Sequence, residues 1–81
     1  DAYIKSQQYR KAVGSMEAAA RMQPADQSVH YTLGNLYMLV GRNQDAEAAY
    51  SKTVRLKPDH TEAHRRLAKV RAILKTNGQQ P

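Results

Sequence analysis

The feature that most constrains this chain is a match to itself at a shift of 34 residues. That shift pairs Pro24 with Pro58, Tyr3 with Tyr37, Ala12 with Ala46, Arg21 with Arg55, His30 with His64 and Leu33 with Leu67. Conservative pairs keep the same register: Met22 with Leu56, Gly34 with Ala68, and Leu36 with Val70. One coincidence would carry no information, but a set in a single register does. A unit this short cannot bury its apolar face alone, so such a period belongs to elements that stack on copies of themselves.

The punctuation splits each period into two helices. Pro24-Ala25-Asp26 and Pro58-Asp59-His60 are breaks, each with an aspartate near the next helix start. Gly41-Arg42-Asn43 is a tighter break, with a glycine suited to ending a helix. The pattern predicts helices at 9–23, 27–40, 43–57 and 61–76, with 1–6 the tail of an earlier one. Asn77-Gly78 is expected to stop the last helix and leave 77–81 as a frayed tail. No segment alternates with period two, so the expected fold is all-α, built of antiparallel helix-turn-helix units without strands.

Gly34 sits inside one of these helical patterns, where glycine costs about 1 kcal/mol relative to alanine. Something must need the missing side chain. Helices joined by two or three residues lie antiparallel, and their axes come close only where side chains are small. Gly34 is therefore expected to face Ala46 and Ala49 of the next helix, with Leu33, Tyr37 and Tyr50 packed around the crossing. Ala68 keeps the equivalent position small in the last helix, beside Leu67.

These residues resemble the tetratricopeptide repeat. The segment 27–60 carries Leu33, Gly34, Tyr37, Ala46, Tyr50 and Pro58 in the order of that family's pattern. Residues 1–26 supply the end of a preceding repeat, with Tyr3, Ala12, Met16, Ala19 and Pro24. Residues 61–76 begin a following repeat with His64, Leu67 and Ala68, then depart, because Arg71 stands where Tyr37 stood. His30 and His64 take the place where the family often has tryptophan. The resemblance implies a superhelical repeat domain over 1–76, with 61–76 as a partial repeat or solvating cap. It also implies the C-terminal piece of a longer scaffold. The N-terminal edge, with Tyr9, Val13, Met16 and Ala20 incompletely covered, is then a candidate for self-association.

Charge and composition bound the function. The chain of 81 residues has no cysteine, which removes disulfide and thiol chemistry. Its longest apolar-leaning run, YTLGNLYMLV, is ten residues and cannot span a bilayer. No signal-peptide pattern is present, and the compartment stays open, with the cytoplasm the default. The net charge is +6. Residues 1–51 hold five cations and five anions, whereas 52–81 hold eight cations against Asp59 and Glu62. Preference for an acidic partner should therefore originate in the C-terminal part.

His60 and His64 lie four apart with Glu62 between them, but no third ligand accompanies them, and no metal site or cofactor is expected. No nucleophile–base pair, phosphate loop or paired-carboxylate arrangement is visible, so no enzyme activity is expected. The resemblance implies a concave face lined by the first helix of each repeat. On it we expect partner contacts from Tyr31, Asn35, Met38, Arg65, Arg66 and Lys69, which suit an acidic peptide or helix. Of the residues with which one subfamily clamps a C-terminal carboxylate, only Arg66 matches, since Thr32 and Glu62 replace an asparagine and a lysine. The alternative reading is RNA binding through the basic last helix. That helix lacks an aromatic stacking platform between its cations.

Overall fold

The computed structural model describes residues 2–79, and the side chains of residues 4–76. It contains four helices: α1 (Ala2–Met22), α2 (Gln27–Leu39), α3 (Asn43–Leu56) and α4 (Thr61–Gln79), with no strand among the described residues. Each helix packs on the next in chain order, and the stack measures 39 × 32 × 17 Å.

The connections explain the order. Between α2 and α3, Gly41 adopts φ +81°, a left-handed conformation that costs any side-chain-bearing residue. Its N–H donates to the carbonyl of Met38, and the Arg42 N–H to that of Tyr37, at 3.2 and 2.8 Å. This pair of bonds is a Schellman closure, which satisfies carbonyls that the helix end would otherwise orphan. The other two connections are copies of each other. Asp26 N–H donates to the Gln23 carbonyl in the first, and His60 N–H to the Lys57 carbonyl in the second, both at 3.1 Å. Six residues into each unit a histidine closes the turn: His30 Nε2–H donates to the Pro24 carbonyl at 2.8 Å, and His64 Nε2–H to the Pro58 carbonyl at 2.7 Å. Asp26 caps α2 by accepting from Ser28 N–H at 2.9 Å, and His60 Nδ1 accepts from Ala63 N–H at 3.1 Å at the start of α4.

Helices α2 and α3 follow the expected segments and α4 begins where expected, but α1 does not follow. A break between 1–6 and 9–23 was expected from the repeat register, and one unbroken helix occupies 2–22 instead. The reason lies in the chemistry of the turn. Shifting Gly41-Arg42-Asn43 back by the period falls on Gln7-Gln8-Tyr9, which contains no residue that prefers to leave a helix. The forward shift falls on Lys75-Thr76-Asn77, and α4 likewise runs on, through Gln79, past the expected stop at Asn77-Gly78. Of the expected frayed tail, residues 80 and 81 lie outside the described residues.

The core is continuous from α1 to α4: Val13, Leu33, Tyr37, Ala46, Ala49, Tyr50, Leu67 and Val70. Tyr50 and Ala46 are fully buried. Gly34 is buried, and of the residues expected around it the nearest is Tyr50, whose ring lies against it: a Cβ at this position would come 2.6 Å from Cδ1 and 2.8 Å from Cζ. The glycine makes room for an aromatic face.

Three packing expectations need correction. Ala68 is exposed, because among the described residues no helix covers α4 as α3 covers Gly34. Pro58 is also exposed, and its part is to set the turn and present a carbonyl to His64. Val13, expected to be poorly covered, is 3% exposed, because α2 closes over that face of α1, with Met16 and Ala20 packed partly against the core.

Candidate functional site

Helices α2 and α4 carry the expected contact residues, and the structure gathers some of them into a cluster. Tyr31 projects from α2, half-buried against the core. Its ring meets that of His60 at 4.7 Å between centroids and that of Tyr50 at 5.8 Å. The Arg66 guanidinium of α4 lies over the Tyr31 face, 5.7 Å from its centroid. The Tyr50 and Tyr31 hydroxyls take up part of its donor fork, which orients the cation and leaves the rest of its five N–H groups for an acceptor. Beneath the cluster, Tyr50 donates its hydroxyl hydrogen to Asn35 Oδ1. Burial pushes the Tyr50 phenol above its ordinary range, opposed by the neighbouring Arg66.

The remaining expected residues divide by their partners. The carbonyl oxygen of Asn35 is engaged with Tyr50, which leaves its amide hydrogens as donors. Met38 packs partly against the core. Arg65 turns back to Glu62, 3.5 Å away on its own exposed helix surface. Lys69 borders a shallow groove with Ala72, Ile73 and Thr76. Among the described residues neither Arg66 nor Lys69 has a carboxylate at ion-pair distance, whereas Arg65 and Arg71 each have one and Arg42 has two.

His60, which the sequence places only at a helix boundary, joins this surface in the structure. The signal was its position directly before the helix, one turn ahead of His64. Its ring caps α4 with Nδ1 and stacks on Tyr31 with its face. No group of three or more potential metal ligands occurs among the described residues, and no helix there is long and apolar enough to cross a membrane.

A second polar cluster lies at the junction of α1, α2 and α3. Tyr37 donates to Glu17 Oε2 at 2.6 Å, Arg42 lies 4.7 Å from the Tyr37 ring centroid, and Arg42 Nε meets Asp45 Oδ2 at 2.8 Å. Burial, reinforced by the bond to Glu17 and that carboxylate's charge, pushes the Tyr37 phenol up to about 12.

Comparison with known proteins agrees with this architecture. A family model described as tetratricopeptide repeat matches residues 3–74, which is most of the chain. Among curated proteins no match is found.

Proposed function

The chain belongs to the tetratricopeptide repeat family, and from that premise we propose that the face formed by α2 and α4 binds an acidic peptide segment of a partner protein. Repeats of this family generally mediate protein–protein interaction, and its members are typically non-enzymatic scaffolds. The observation that supports the finer reading is Arg66 stacked on Tyr31 with no carboxylate of its own among the described residues. The adjoining rings of Tyr31 and His60 supply a ledge for a side chain. Arg66 and Lys69 supply two cations for acidic groups, and the Asn35 amide can donate to a backbone carbonyl. The scarcity of anions beyond residue 51 extends the attraction along α4.

Anisotropy titrations with a fluorescent, Glu-rich peptide test this reading. Arg66→Ala and Lys69→Ala should each weaken binding about three- to tenfold with helicity unchanged, since one charge-assisted contact is worth roughly 1 kcal/mol at an exposed site. Lys11→Ala, on exposed α1 surface, should change nothing. Equal losses from all three would replace a defined site with diffuse charge attraction. A single-stranded RNA that binds more tightly than the peptide, with a steep salt dependence, would favour the nucleic-acid reading instead.

A further inference from the structure

On the other side of the stack, α1 and α3 stand apart and leave an open groove of about 470 Å³. Leu33 and Tyr37 of α2 line it, and Ala20, Ala48 and Ala49 keep the flanking helices low. Two short connections make α1 and α3 parallel to each other and antiparallel to α2. The charges of the groove are sorted along that common direction. Glu17 and Asp45 lie together at one end, both within reach of Arg42, at 3.8 and 2.8 Å. Farther along, one turn on in α1 and two turns on in α3, Arg21 and Lys52 line the groove. Neither of these has an ion-pair partner among the described residues.

We propose that this groove docks a short amphipathic helix of a partner protein, lying antiparallel to α2 with its N-terminus at Glu17 and Asp45 and its C-terminus at Arg21 and Lys52. Charge complementarity selects both the occupant and its direction. A helix carries partial positive charge at its N-terminus and partial negative charge at its C-terminus, so carboxylates favour the first and cations the second. Small side chains on the flanks admit a helix backbone, and the apolar floor receives its apolar stripe. The spacing from Asp45 to Lys52, at about 1.5 Å per residue, corresponds to roughly two turns. An extended segment would find no strand edge here and no dipole to match. The proposal is independent of the acidic-peptide face, which lies on α2 and α4.

Two fluorescent, side-chain-stapled peptides of about 12 residues test it, stapled because free helices of that length are marginal. Both carry a leucine stripe and have the same composition. The first places lysine in its N-terminal turn and glutamate in its C-terminal turn, and the second reverses them. The first should bind about three- to tenfold more tightly, because both its charges and its dipole match the groove. Arg21→Gln with Lys52→Gln should narrow the preference, and Arg21→Glu with Lys52→Glu, which makes both ends of the groove acidic, should abolish it, with circular dichroism unchanged. Arg66→Ala should leave binding by the first peptide intact. Equal affinity for the two peptides, no binding by either, or a loss on Arg66→Ala would overturn the proposal.

Discussion

At the scale of single residues, Gly34 and Tyr50 set the crossing of α2 and α3. Gly34 gives up helix propensity so that the fully buried Tyr50 ring can lie against its backbone. Gly34→Ala should therefore destabilise, although alanine is the better helix former by about 1 kcal/mol. The ring cannot retreat without loosening its hydroxyl bond to Asn35, so a net loss of about 1–3 kcal/mol is expected in urea unfolding. A gain in stability would mean that the ring moves freely. Tyr37 makes a prediction about pH. Its phenol titrates near 10 in an unfolded chain and is pushed up to about 12 in the fold. The stability it contributes is then complete below pH ~10 and lost as the pH rises toward 12. Tyr37→Phe should cost about 1 kcal/mol at pH 8, and that cost should shrink across this alkaline range. A cost constant with pH would dissociate Tyr37 from the alkaline loss.

At the scale of elements, the turns decide where helices end. Gly41→Ala should destabilise by about 1 kcal/mol or more, because the closure after α2 requires the left-handed conformation. Thermal melts would measure it, and an unchanged midpoint would show that the loop finds another closure. The same reasoning explains what could be read from the sequence. Three helices were legible to within a few residues, because prolines, Asp26 and Gly41 mark their ends with definite chemistry. The break near residues 7 and 8 was inferred from periodicity alone, where no residue enforces it, and the helix runs through. The site was partly legible for a related reason. Helical spacing placed Tyr31 and Arg66 on corresponding faces, but that His60 joins them depends on how α4 is set against α2. Helical spacing likewise did not reveal that Asn35 is held by Tyr50 and that Met38 is drawn into the packing. The groove between α1 and α3 has no signature at all in the spacing of either helix, because it arises from the distance between them.

At the scale of the molecule, the period produces a stack in which, among the described residues, α2 and α3 each pack closely on two helices and α1 and α4 each on one. The stack presents two different surfaces. On one, Tyr31, His60 and Arg66 form a ledge beside cations of α4 that have no carboxylate partner among the described residues. On the other, charges are sorted along a groove. The net charge of +6 alone would attract any polyanion, whereas the proposed site focuses that attraction on the first surface. The most direct test is an NMR titration of the isotope-labelled chain with a Glu-rich peptide at physiological salt. Shifts should concentrate at Tyr31, Asn35, His60, Arg66 and Lys69 and persist when salt is doubled. Shifts spread evenly over the lysines and arginines of every helix, vanishing at the higher salt, would contradict it.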